Sequence, residues 1–525
     1  MKTVKNKPRI RWFSAFILPP SSFTEVRTIR HYVDLRAQGT PDATFLIAPE
    51  TGATLTYGGL QRASVELGHF LLGRGLSKGD KVALMLHNGY QTARLLIGVM
   101  YAGFMVAPLN LLAQASQLTY VLDHSDSKLV FTSEELAPRV REALAGMTRK
   151  VQVVVIDPDS TSIFDTSLPC ALPDVDEDDD ALLMYTSGTT GKPKGCVLSN
   201  RSVVAGGEFT SSAHQLSTQD RVLCAMPLYH INGQIVTTVA PLVHGGSVVM
   251  PHRFSASNYW ELVTKHQCTW INVVPTIIAY LLNSADPRDR GLDISRVKFC
   301  RSASAPLPPE QHRAFEAKFS IGIIETFGMT ETNAPCFTNP YDPAKRKIGS
   351  PGQAWGNEAK VIDPQTGEDL PPNVPGELMI RGDNVMTGYY KDPQHTAKTL
   401  EPDRWMHTGD VGYIDEDGFV FVTGRIKELI IKGGENIAPR EIDEALLKHP
   451  AILEAAAVGI PDANYGQEIM ACVVLKPGAH CTLDELNAFS LIELGKYKTP
   501  KIIKFVNDLP KGPSGKVQRL KLLEN

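Results

Sequence analysis

The stretch YTSGTTGKPKG, Tyr185 to Gly195, sets three glycines among four hydroxyl residues, two lysines and a proline. Glycines let the backbone curl until N–H groups converge, hydroxyls add further donors, and lysines supply countercharge. Together these suit a polyphosphate. A Walker A loop does not fit: Gly188 and Gly191 enclose only two residues, and Pro193 follows Lys192 where a hydroxyl would hold magnesium. The G-x-G-x-x-G of dinucleotide binders is also absent from this stretch. Four more segments follow in order: ETFGMTET (Glu325 to Thr332), WMHTGD (Trp405 to Asp410), GRIKELIIKGGENI (Gly424 to Ile437) and PKGPSGK (Pro510 to Lys516). Between them they offer carboxylates, hydroxyls, a guanidinium and a lysine on a glycine-flexed loop.

Groups so far apart in sequence need a scaffold. From about Tyr32 to Met250, short apolar runs alternate with amphipathic stretches: KVALMLHN as strand, GYQTARLLIGVMYAG as helix, then MVAPLN, KLVFTS and KVQVVVID as strands. Such alternation predicts an α/β protein with buried, largely parallel sheet and helical crossovers. ALLMY is a strand leading into the glycine-rich loop, and Ser199–Asn200 can cap a helix starting near Arg201, so the loop is expected to join strand to helix. The acidic run DVDEDDD (Asp174 to Asp180) reads as a solvated connection. From about Lys360, Gly, Asp and Pro break short strands, predicting antiparallel hairpins. PREIDEALLKHPAILEAAAVG is predicted as a helix with Pro439 near its start. Everything after Gly424–Arg425 can form a small α+β unit.

The five segments, in this order, resemble the adenylate-forming superfamily of acyl-CoA synthetases, luciferases and peptide-synthetase adenylation domains. The resemblance runs from about Tyr32 to the C-terminus. It implies a large N-terminal core (1–426) with an antiparallel subdomain and a small mobile C-terminal domain (427–525). It also implies an acyl-adenylate made from a carboxylate and ATP, then acyl transfer to a thiol. Thr186, Ser187, Gly188, Thr189, Thr190 and Lys194 would hold the β- and γ-phosphates, while Lys192 projects into solvent. Glu331 would hold Mg2+, with Thr330 reaching the α-phosphate. Asp410 and Arg425 would bind the ribose. Ser304, Ala305 and Pro306 would line the adenine, with Ser302 and Ser304 standing where glycines are expected. Phe327 would stack on the base, and Glu325, Thr326 and Gly328 would complete the nucleotide site. Lys516 would reach the carboxylate and bridging oxygens during adenylation, then leave as the small domain rotates about Lys427. Gly433 and Gly434 would then leave space for the pantetheine arm of CoA.

PLYHINGQ (Pro227 to Gln234) resembles the floor of the family's acyl pocket, with His230 as its gate. Asn232 and Gln234 put amides there, Arg301 lies beside the adenine segment, and Asn333 and Cys336 follow Glu331 on a facing wall. HINGQ is similar to crotonobetaine/carnitine–CoA ligases and RSASA to oxalate–CoA ligases. The expectation is an ATP-dependent acid–CoA ligase for a short polar or anionic acid (dicarboxylate, sulfonated or betaine-type), with Arg301 pairing the distal charge. The alternatives are a medium-chain or aromatic acid–CoA ligase, or a stand-alone enzyme loading a carrier protein. No carrier domain follows Lys516, which favours free CoA. A regulator that binds nucleotide without catalysis is expected to lack Glu331 or Lys516, and both are present.

The remaining features narrow the setting. At 525 residues the chain needs more than one core, and a net charge of −4 argues against a nucleic-acid partner. No apolar run reaches the length of a membrane span. MKTVKNKPRIRWFSAFILPP is expected to be a loosely ordered arm rather than an export signal, since its apolar run is short and two prolines follow. Eight scattered cysteines with no CxxC pair suggest reduced thiols in a cytoplasmic protein, without zinc. For assembly, the expectation is a homodimer.

Overall fold

The computed structural model describes residues 26–162, 164, 170–186, 193–333, 335–511 and 517–524. The N-terminal arm, most of the glycine-rich loop and Lys516 therefore lie outside the described residues. Among those described, the chain forms four sheets. Lys81–Met85 lies inside a seven-stranded sheet, parallel to Met105–Pro108 and Ser127–Thr132. The helix between the first two, Tyr90–Tyr101, is buried along its whole length, so its apolar content is not confined to one stripe. The second sheet has nine strands. Thr44–Ile47, Ser247–Val249, Arg221–Cys224, Trp270–Val273, Phe299–Ser302 and Ile323–Phe327 run parallel within it. One hydrophobic cluster spans both sheets.

Two sequence expectations need correcting. The glycine-rich loop does not lead from strand to helix. Asp180–Thr186 pairs antiparallel with Lys194–Ser199, and Thr186 faces Lys194 across the mouth of the hairpin. Only then does the helix Asn200–Ala213 begin, capped by the Ser199 hydroxyl, which accepts from the Ser202 N–H. KGCVLS is apolar enough to be buried as a strand, which the turn-rich run before it obscures. Secondly, PREIDEALLKHPAILEAAAVG is helical only over Pro439–Leu447. Pro450 cannot continue a helix, and Ile452–Asp462 instead pairs antiparallel with Gly466–Leu475 along its length. That pairing outweighs the helix preference of three successive alanines.

The antiparallel expectation beyond Lys360 holds: Glu358–Ile362, Gly376–Arg381, Met406–Ile414 and Val420–Arg425 form one sheet. From Ile430 onward the chain buries apolar residues of its own, between Ile430 and Leu522. The acidic run is tied by ion pairs, Lys78 to Asp179 at 2.7 Å and Arg201 to Glu177 and Asp178. Among the described residues no helix is long and apolar enough to cross a membrane.

Candidate active site

Lys194 opens the second strand of the hairpin, and its ammonium sits 4.3 Å from the centre of the Tyr389 ring. Tyr389 belongs to the short edge strand Gly388–Tyr389, which pairs with Cys196 and Val197 beside that lysine. Its hydroxyl donates to Glu331 Oε1 at 3.0 Å. Burial and the Glu331 charge both push the phenol far above its ordinary value, so it stays a donor. Glu331 is buried in the single 3-10 turn Thr330–Thr332, which ends at Asn333 with φ 49°. The helix leaving the hairpin closes on this turn: a Cβ at Gly206 would run into the Asn333 carbonyl. Thr330, on the turn beside Glu331, is half-buried, as is Thr186 on the hairpin. Ser187, Gly188, Thr189 and Thr190 lie outside the described residues. A lone buried carboxylate, oriented by a phenol and close to a lysine, fits Mg2+ shared with phosphate oxygens and water.

Asp410 and Arg425 stand opposite each other on adjacent strands, Arg425 Nε donating to Asp410 Oδ1 at 3.1 Å. Asp410 is 3 % exposed. Its charge is the largest cause raising the arginine's pKa, and Glu331 adds to it, which places all three groups in one electrostatic neighbourhood. Phe327 stacks on Phe337, its partner across the antiparallel pair, and Thr326 is buried before it. Gly328 follows at the strand end, half-buried like Phe327. Ser304 adopts φ 72°, so the geometry of the expected glycine is kept by a serine. Ala305 and Pro306 lead from it to Leu307, whose N–H donates to Glu325 Oε1 at 3.4 Å. Glu325 Oε2 is buried without a partner, and burial lifts this carboxyl to about 7 against the opposing pull of Arg440.

Arg301 is one of two deeply buried guanidiniums among the described residues, the other being Arg94 at 1 % exposure. Arg301 is 2 % exposed, and among the described residues no carboxylate pairs with it. Nη1 donates to Asn232 Oδ1 at 3.0 Å and to Asn272 Oδ1 at 2.8 Å, while Nε is buried with no partner. Burial alone lowers its pKa to about 9, so it remains a cation at neutral pH. Asn232 begins a π-helix, Asn232–Val239, a rare form that is frequent at functional sites. The half-buried His230 lies in the turn just before it. Gln234 and Asn333 are fully buried, and each amide oxygen is without a partner among the described residues. Gln234 Nε2 donates to the Leu228 carbonyl at 2.6 Å, and Asn333 Nδ2 to that of Asn384 at 3.2 Å.

Lys427 is exposed within the 3-10 turn Ile426–Glu428. Gly433 and Gly434, with φ 57° and 87°, form the two-residue turn between Ile430–Lys432 and Glu435–Ile437. Behind that turn Lys432 is buried, paired with Glu468 at 2.9 Å and flanked by the Tyr465 and Tyr497 rings. Two further residues escaped the sequence reading. Tyr389 could not be linked to Glu331 because strand pairing brings them together. Asn272 did carry a signal, a lone amide in the apolar strand WINV.

The chain matches the model of the AMP-binding enzymes over residues 33–390 and that of the AMP-binding enzyme C-terminal domain over 441–516. A sulfoacetate–CoA ligase of Cupriavidus necator is 54 % identical over 504 residues, 95 % of this chain and 98 % of that protein. An oxalate–CoA ligase of Arabidopsis thaliana is 34 % identical, covering 85 % of this chain and 88 % of its own. ATP-bound MatB from Rhodopseudomonas palustris superposes with a TM-score of 0.85 at 29 % identity, covering 94 % and 98 % of the two chains.

Proposed function

Because the chain belongs to the AMP-binding enzymes and is an ATP-dependent, AMP-forming acid–CoA ligase, we propose that its acid is short and carries a second anionic group, received by Arg301. A sulfonated two-carbon acid such as sulfoacetate comes first, and an oxalate-type dicarboxylate second. The observation that carries this is the buried Arg301 guanidinium, with no carboxylate partner among the described residues. A lone charge in such a place is costly, and an incoming anion supplies what the protein withholds. The names of the two relatives support the same class.

In this reading the hairpin hydroxyls from Thr186 to Thr190 and Lys194 hold the β- and γ-phosphates. Asp410 and Arg425 hold the ribose, and Ser304 to Pro306 with Phe327 enclose the adenine. Glu331 would hold Mg2+, which when bound would supply neutralising charge among the phosphates. The acid's carboxylate attacks the α-phosphorus, the bond to the β-phosphate oxygen breaks, and pyrophosphate leaves. Thr330 and Lys516 donate to the oxygens that gain charge. Residues 427–525 then turn as a unit about Lys427, bringing the Gly433–Gly434 turn to the site. The CoA thiol adds to the acyl carbonyl, and AMP departs. The separate apolar core beyond Ile430 supports such a unit. Eight unpaired cysteines support a reducing, cytoplasmic setting.

The test is kcat/KM for sulfoacetate, oxalate and an uncharged monocarboxylate on the wild type and Arg301→Ala. The doubly charged acids should lose roughly 10²- to 10³-fold, the scale for removing one side of a buried charge pair. A uniform loss across all acids and ATP would reduce Arg301 to a brace for the adenine segment.

A further inference from the structure

Asn272 interrupts a strand otherwise made of Trp270, Ile271 and Val273, within the nine-stranded sheet, and it is fully buried. An amide in that position is costly unless its polar atoms are bonded. Its partners follow from the register. Asn272 stands directly beside Arg301 in the parallel pair. Its Oδ1 accepts from Arg301 Nη1 at 2.8 Å, and its Nδ2 donates to Asn232 Oδ1 at 3.1 Å. Asn232 Oδ1 also accepts from Arg301 Nη1 at 3.0 Å, and its Nδ2 donates to Ser304 Oγ at 3.2 Å. The two amides and Nη1 thus close a triangle. Both hydrogen bonds from the guanidinium leave from that one nitrogen, while Nε has none. The Nε–Nη2 edge is the one by which arginine grips a carboxylate or sulfonate with two parallel bonds; Nε is buried here, so an anion would reach that edge only as the surrounding side chains give way to it.

We propose that Asn272 is a specificity-determining residue, a neutral acceptor that orients Arg301 without neutralising it, so that the only anion the site can satisfy it with is the acid's second charged group. This rests on Arg301 being the receptor of that group. An aspartate in place of Asn272 would keep the 2.8 Å bond to Nη1 but set an acceptor against Asn232 Oδ1, 3.1 Å away. An aspartate in place of Asn232 would have nearly the same shape, keep the bond to Nη1 and the bond from Asn272 Nδ2, and accept from the Ser304 hydroxyl where the amide now donates to it. Either would also supply an internal counter-ion, and the incoming anion would meet a pair with no net charge. At position 232 stability and selectivity therefore move in opposite directions. The apo protein gains an ion pair in place of a bare cation, while discrimination for doubly charged acids collapses. The chain Asn272–Asn232–Ser304 carries the same constraint to the adenine segment, where Ser304 holds its left-handed turn.

The experiment compares N272D with the wild type by two measurements. One is the ratio of kcat/KM for sulfoacetate over that for an uncharged acid of matching length, and the other is the melting temperature. The ratio is expected to fall roughly 100-fold or more, the scale of losing a desolvated charge pairing. N232D, acting on the same nitrogen, provides a second variant; its ratio must fall as well, and because it keeps every bond of the triangle its melting temperature is expected to be equal or higher, whereas N272D gives up its bond to Asn232. A ratio that stays put in N232D overturns the proposal, and so does a lower melting temperature or a failure to fold of that variant. Wild-type enzyme without preference for a doubly charged acid overturns both readings. A preference lost in R301A but kept in N272D and N232D overturns only this one.

Discussion

Tyr389 contacts both Lys194 and Glu331, the two groups proposed to handle phosphate, and two substitutions separate what each contact does. Tyr389→Phe removes the hydroxyl that donates to Glu331 at 3.0 Å but leaves the ring under the Lys194 ammonium at 4.3 Å. A hydrogen bond to a charged group contributes about 1.5–3 kcal/mol, so the orientation of Glu331 should suffer by roughly 10- to 100-fold. That loss should appear as slower adenylate formation and a higher Mg2+ concentration at half-maximal rate, with little change in ATP KM at saturating Mg2+. Tyr389→Leu removes the ring as well, worth about 0.5–2 kcal/mol for a partly desolvated cation. It should add a rise in ATP KM on top of the Mg2+ effect. Pyrophosphate–ATP exchange over a Mg2+ series reads the first effect. Displacement of a fluorescent nucleotide without Mg2+ reads the second without turnover. If Tyr389→Phe follows the wild-type Mg2+ curve, the hydroxyl does not orient the metal carboxylate. If the Phe and Leu variants coincide in both assays, the ring contact contributes nothing.

Glu325 gives a pH signature. Its folded carboxyl is raised to about 7 from 4.5, so between these values the native state keeps a proton that the unfolded state has released. Stability should therefore fall as pH rises from about 4.5 to about 7 and then level off, by about 3 kcal/mol at most; melting curves at pH 5 and pH 8 should converge for Glu325→Gln relative to wild type. Lys516→Ala should slow adenylate formation roughly 10²- to 10³-fold while sparing thioester formation from a supplied acyl-adenylate; equal damage to both half-reactions, measured separately, contradicts its assignment to the first.

Local rules carried most of the scaffold. Lys81–Met85, Tyr90–Tyr101 and Met105–Pro108 fall where periodicity puts them, because a buried parallel strand and its crossover helix each declare themselves within a dozen residues or so. The misreadings occur where a partner strand decides. Ile452–Asp462 has three alanines in a row and reads as helix until Gly466–Leu475 is laid beside it. Lys194–Ser199 reads as loop until Asp180–Thr186 closes the hairpin. This second correction bears on the proposed phosphate site. Strands enter and leave the loop, so in that proposal no helix begins directly at its end, and the countercharge is assigned to Lys194.

The site follows the same division. Asp410 and Arg425 were legible because each lies in its own short motif, although only the strand pairing makes them neighbours. Tyr389 and Asn272 were not, because their importance is a relation to Glu331 and to Arg301 and has no local pattern. One general signal was nevertheless present. In strands buried on both faces, WINV and FCRS, a polar side chain is expensive and is kept only if something satisfies it. Asn272 is satisfied internally by Asn232 and Arg301. Arg301 is satisfied on one nitrogen only, and no carboxylate among the described residues answers its charge. A structural brace for Arg301 could have been completed by an acid at position 232 with almost no change of shape. Two neutral amides there instead leave the guanidinium's charge uncompensated, which is the ground for proposing that the substrate acid's second group is an anion.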